Sequence, residues 1–267
     1  MDRQLLIICL LTAAINLIGT LAYAARIAGV RTRRIAMSFA LFNILVLVSR
    51  TSNSFLGPFL AKRIETRISS GGGDALYADF QIVLGSATAA VAVGIVLVPT
   101  GQRLFARAIG YFQQHRSTTR MIMKTATPTG LKAVRDALHP PSLAHLRNLG
   151  KERGVGWGVL VANCLAQALI TVGVLASLYA GYLNPEFRVT ASQLSAVING
   201  FATILLFALI DPQLSVMTDD VVEGQVSEAL FRRTIVWISF SRLAGTLLAQ
   251  LLFLPSARLV AAIANYV

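Results

Sequence analysis

Six apolar runs, each long enough to cross a bilayer, restrict this chain to a bundle of membrane-spanning helices: residues 5–25, 35–60, 76–98, 155–183, 191–210 and 234–254. About 20 helical residues cover a hydrocarbon core about 30 Å thick. In lipid, such a segment must satisfy its own backbone hydrogen bonds, which leaves helices as the only fit to runs of this length. The fold class is therefore all-α and polytopic. Composition agrees, with 55% hydrophobic and 13% charged residues against about 25% charged in soluble domains. The run 5–25 closes on small residues, as a signal peptide does. It is too long for a signal h-region and a second run follows at once, so it reads as a transmembrane helix.

The formal net charge of +12 does not indicate nucleic acid, because the positive residues sit in short loops beside apolar runs, where they set topology. Residues 26–34 carry four arginines and no acid, and residues 100–153 carry ten Lys/Arg against Asp136 and Glu152. Both segments are expected in the cytoplasm, with the amino and carboxyl termini outside. Lys62, Arg63 and Arg67 then fall in an outer loop, against the rule. The chain divides into residues 1–99 with three spans, a basic cytoplasmic loop over 100–153, and residues 154–267 with three more. Three spans per half means that the halves run in opposite directions, which permits an inverted 3+3 repeat. Within the basic loop, Leu131, Val134 and Leu138 recur at helical spacing before His139-Pro140-Pro141, as in a helix lying on a surface of anionic lipid. His115, His139 and His145 lack metal-ligand spacing, and Cys9 and Cys164 sit singly in apolar runs, so neither a metal nor a disulfide framework is indicated. No cofactor is indicated either.

Polar residues inside the spans carry the functional signal, because an ionisable group at membrane depth faces a partner or a wet cavity. In each half the middle run is the interrupted one. The second holds Arg50 and then Gly57-Pro58, and the fifth ends in Asp211-Pro212. Paired interruptions at corresponding positions point to a transporter's binding region. Depth counted from the ends of the runs places Arg50 towards the outside, with Asp79 as its partner, and Asp211 towards the inside, with Arg242 as its partner. Two ionic levels follow, serving as gates or as successive contacts for an anionic group. Asn43, Asn53 and Asn199, on the interrupted helices, are candidate cavity residues. Asn16 and Asn163 are assigned to hydrogen bonds between helices. Asp219 and Asp220 join Asp79 and Asp211 as candidates for ion coupling.

The stretch from Leu21 to Glu65, including Leu21-Ala22-Tyr23-Ala24-Ala25-Arg26 and Ser49-Arg50-Thr51-Ser52-Asn53, resembles the Amj family of alternate lipid II flippases. The resemblance implies translocation of lipid II, the undecaprenyl-diphosphate-linked disaccharide-pentapeptide, across the bacterial cytoplasmic membrane. It supplies no functional residues, so Arg50 and Arg242 as diphosphate ligands rest on chemistry: desolvated guanidinium binds phosphate strongly and often in bidentate fashion. Competing readings are a carrier of another polyprenyl phosphate or amphiphile, an intramembrane enzyme, and a structural membrane protein. Gly71-Gly72-Gly73-Asp74 contains Gly-x-Gly-Asp but has no Tyr-Asp partner motif, and the sequence lacks Gly-x-Ser-x-Gly and a nucleotide-binding Gly-x-x-x-x-Gly-Lys-Ser/Thr. Oligomeric state is not encoded in any of these features.

Overall fold

The computed structural model describes residues 2–115, 127, 132, 135–137 and 154–267. Leu131, Val134 and Leu138 of the expected surface helix lie outside the described residues, as do His139, His145 and the side chain of His115. Six membrane-length helices form among the described residues: α1 (Arg3–Thr32), α2 (Ile35–Ser69), α3 (Leu76–His115), α4 (Trp157–Leu183), α5 (Arg188–Val222) and α6 (Glu228–Ile263). The all-α, six-span class read from the sequence holds.

Capping chemistry fixes several helix ends. Asp2 precedes α1, and its carboxylate accepts the Leu5 N–H at 2.9 Å, satisfying one of the amides a helix start leaves unpaired. At the other end Arg33 takes left-handed backbone geometry, φ 53°, and its N–H bonds the Val30 carbonyl at 3.2 Å. That conformation stops α1 and lets α2 begin two residues later. Ser38 of α2 then donates to the Ala25 carbonyl at 2.7 Å, clamping the two helices together.

The second span differs from its sequence reading. Helix α2 runs unbroken for 35 residues with Pro58 inside it. Thr51, Ser52 and Ser54 each return their hydroxyl to the carbonyl four residues earlier. The polar run that looked like a break therefore consumes its own hydrogen-bonding capacity along the helix. The fifth span does change geometry: Arg188–Leu205 is α-helical, Leu206–Ile210 is a π-helical stretch, and Asp211–Val222 is α-helical again. Pro212 stands in the first turn after the π stretch. Proline is suited to that position, and π-helical segments gather at functional sites.

Helix α1 packs along both α2 and α3, and α4 packs along both α5 and α6; α3 and α6 meet between the two groups. Small residues let these helices approach. A Cβ added at Gly94 of α3 would lie 2.8 Å from the Thr20 side chain of α1, and one at Gly245 of α6 would lie 2.8 Å from Gln167 Cβ of α4. Such seams are the usual basis of helix packing where lipid removes the hydrophobic drive for association. Two large apolar cores result, with a smaller cluster of Ala180, Ala191, Val260 and Ala264 beside them. One, towards the end of the bundle that bears the amino terminus, gathers Leu60, Leu76, Phe80, Leu175, Tyr179 and Phe253, with the Phe80 and Phe253 rings stacked at 5.5 Å. The other, towards the α1–α2 turn, gathers Ile27, Phe42, Leu160, Leu214, Phe231 and Ile235. Polar side chains occupy the layer between them.

Candidate functional site

A cavity of about 310 Å³ lies in that polar layer. Helix α1 supplies Thr12, Asn16 and Gly19; α2 supplies Ser49, Arg50 and Asn53; α4 supplies Gln167 and Thr171; α5 supplies Asn199, Thr203 and Asp211; α6 supplies Arg242. No Cα of α2 comes within 8 Å of one in α5. One side of the cavity is thus a gap between two helices, spanned only by side chains. Arg50 crosses it: Nη1 donates to Thr203 Oγ1 at 3.1 Å, and its guanidinium lies 5.3 Å over the Phe207 ring.

Arg242 lines the cavity from α6 and is buried. It is 9% exposed, and its Nη2 reaches Asn16 Oδ1 at 3.5 Å. Gly19 makes room for it, since a Cβ there would sit 2.6 Å from Nη2. Neither Arg50 nor Arg242 has a carboxylate oxygen within 4.0 Å among the described residues. Three buried atoms around the cavity are also without a hydrogen-bond partner: Arg242 Nε, Thr12 Oγ1 and Asn199 Oδ1. Leaving such groups unpaired costs about 1–3 kcal/mol each, more when charged. Arg50 and Arg242, set against Asp211 alone, give the cavity wall an excess of positive charge, which suits a polar anion.

Both charge pairings expected from the sequence are replaced. Asp79 does not meet Arg50; it binds Arg63 Nη2 at 2.8 Å and Arg67 Nε at 3.0 Å, and Arg63 also bonds Asp2. Arg63 and Arg67 belong to the last turns of α2 rather than to a loop, so the positive charges that opposed the topology are internally paired. Outside the membrane-spanning segments, the Asp2 carboxyl is held below its ordinary value, first by the Leu5 N–H and then by Arg63. Asp211 does not meet Arg242 either. It accepts from Arg26 Nη2 at 2.9 Å, and Arg26, 3% exposed, lies 4.3 Å over the Phe42 ring. Arg26 was read as a loop residue and belongs to α1.

The physical reason is helix length. Helices α2 and α6 contain 35 and 36 residues, where about 20 suffice to cross the core. Depths counted from the ends of apolar runs are displaced accordingly. Arg50 lies ~22 Å along an α2 of ~52 Å, and Arg242 ~21 Å along an α6 of ~54 Å, at 1.5 Å per residue. Both sit near mid-height, in one layer instead of two. Asn53 and Asn199 line the cavity, whereas Asn43 is exposed and is not among the lining residues. Asn163 donates to the Ile238 carbonyl of α6 at 3.0 Å, the interhelical bond expected of it. Asn16 donates to the Thr12 carbonyl of its own helix and turns its oxygen to Arg242. Arg26, Thr12, Gln167 and Thr171 were not singled out from sequence. For Arg26 a signal existed, because Ile27-Ala28-Gly29-Val30 resumes the apolar run beyond it.

A family model described as "Amj: Alternate to MurJ" matches residues 11–264. The chain is 37% identical over 262 residues to a curated protein of Bacillus subtilis (strain 168) named lipid II flippase Amj, covering 97% of this chain and 96% of that protein. No solved structure matches it.

Proposed function

The chain belongs to the Amj family, and from that premise we propose that it is a lipid II flippase, a transporter and not an enzyme, acting in the bacterial cytoplasmic membrane. The observation that carries this reading is the pair Arg50 and Arg242, two guanidinium groups that line one mid-height cavity with no carboxylate oxygen within 4.0 Å among the described residues. A lipid-linked diphosphate has a charged head that hydrocarbon excludes and a tail that is at home there. It needs a polar chamber reached from the side. The gap between α2 and α5 provides the approach, the arginines engage the diphosphate, and Asn16, Asn53, Gln167 and Asn199 offer hydrogen bonds to sugar hydroxyls.

The orientation follows from charge. Arg31, Arg33 and Arg34 mark the end of the bundle opposite the amino terminus, and α3 reaches that same end at His115, so residues 100–115 of the expected basic loop belong to this helix. We assign that end to the cytoplasm, beside anionic lipid, and both termini to the outside. The parallel packing of α1 on α2 and α3, and of α4 on α5 and α6, supports an inverted repeat of residues 1–99 and 154–267 about the basic segment. The cavity lies at the meeting of those halves, where repeat-built transporters hold substrate.

The test replaces Arg50 and Arg242 singly by Ala and follows lipid II arriving at the outer leaflet, with membrane insertion measured alongside. Normal insertion with translocation reduced at least about tenfold is the expected result, a charged hydrogen bond being worth about 1.5–3 kcal/mol. Wild-type translocation in both variants would remove the two arginines from the transport route.

A further inference from the structure

We propose that the cavity recognises the diphosphate and the sugar next to it, and does not read the peptide, so that polyprenyl diphosphates with different distal head groups compete for one site. This rests on the flippase reading and narrows what that reading requires of the substrate.

Three observations carry it. The first is size. The cavity encloses about 310 Å³, the lower end of the roughly 300–1,000 Å³ that pockets for drug-sized ligands occupy. A diphosphate with one sugar is on that scale, while two sugars and five amino acids exceed it severalfold. The second is charge. Asp211 is the single carboxylate lining the cavity, and Arg26 already occupies it at 2.9 Å. One acid already bound to a cation, set against Arg50 and Arg242, leaves the cavity wall net positive, which favours phosphate over the amino group of a peptide.

The third is the kind of side chain on the wall. Arg50 and Arg242 line the cavity together with Thr12, Asn16, Asn53 and Gln167. Guanidinium N–H groups match phosphate oxygens. The neutral amides and the hydroxyl match hydroxyls of an adjoining sugar. The distal head group then lies outside the cavity, towards the α2–α5 gap, where Arg50 hydrogen-bonds across to Thr203.

The experiment uses the full chain in nanodiscs and measures binding of three probes: lipid II, undecaprenyl-diphosphate-linked disaccharide without the pentapeptide, and undecaprenol without phosphate. The proposal expects lipid II and the peptide-free lipid to bind within about tenfold of one another, no peptide contact being lost. Undecaprenol is expected to fail to compete. Arg242→Ala should weaken both diphosphates by a similar factor, at least about tenfold; Arg242→Lys should recover part of it. The comparison of probes on the unaltered protein stands even if Arg242→Ala does not fold. Binding of the peptide-free lipid more than about tenfold weaker than lipid II would overturn the proposal and leave lipid II transport intact. Absence of lipid II translocation in reconstituted vesicles, with the peptide-free lipid still bound, would overturn the flippase reading instead.

Discussion

Arg26 and Asp211 form the ion pair whose removal should cost most. Arg26 is 3% exposed, and its Nε and Nη1 have no hydrogen-bond partner, so Asp211 and the Phe42 ring are what offset its burial. Deleting one member of a buried pair costs about 3–5 kcal/mol, while replacing both with apolar groups is close to neutral. Arg26→Ala or Asp211→Ala should therefore lower thermal stability in detergent strongly. The double variant Arg26→Leu/Asp211→Leu should recover most of the loss, and a double-mutant cycle measures the coupling. A smaller effect is expected at Asp2. Its carboxyl is held below the ordinary 3.8, so the stabilisation is fully present above that pH and disappears as pH falls through the lowered value. Wild type and Asp2→Asn should accordingly differ in stability at neutral pH and converge in acid.

At the level of elements, the π-helical stretch Leu206–Ile210 sets which side chains α5 turns to the cavity. Thr203 lies before it and Asp211 after it, and both line the cavity. The π turn already takes up one extra residue, so an alanine inserted after Ala208 should turn everything beyond it by ~100° relative to what precedes. We expect that variant to insert normally but to lose translocation, because Asp211 then leaves Arg26. Apolar periodicity made the spans legible, since hydropathy reports each residue's preference for lipid. It could not reveal where helices stop once they leave the hydrocarbon. Arg26, Arg63 and Arg67 were misread for that reason: each lies on a helical extension where partners on neighbouring helices, and not lipid, set the environment. Gly57-Pro58 misled in the opposite sense, because hydroxyls returning to the α2 backbone leave no trace in a hydropathy profile. Arg50, Arg242, Asn53 and Asn199 could be picked out as polar groups in apolar runs. That the two arginines share a layer depends on how the helices pack, which a single sequence does not state.

For the molecule as a whole, two apolar cores enclose one polar layer, and the gap between α2 and α5 leads from that layer sideways. A head group passing along the gap can change leaflet while its hydrocarbon chain slides beside the protein without entering it. Burying a hydrocarbon chain is worth about 0.8 kcal/mol per methylene, and a route that drew the chain out of lipid would grow harder with every carbon added. Along a lateral gap that contribution cancels, because the chain is in hydrocarbon at the start, in transit and at the end. Lipid II analogues with shortened prenyl chains, once anchored in the same vesicles, should cross at the same rate as the natural lipid; a rate that falls steadily with each added isoprene would place the route elsewhere. The open side of the bundle thus makes the length of the cargo irrelevant to the work of moving it.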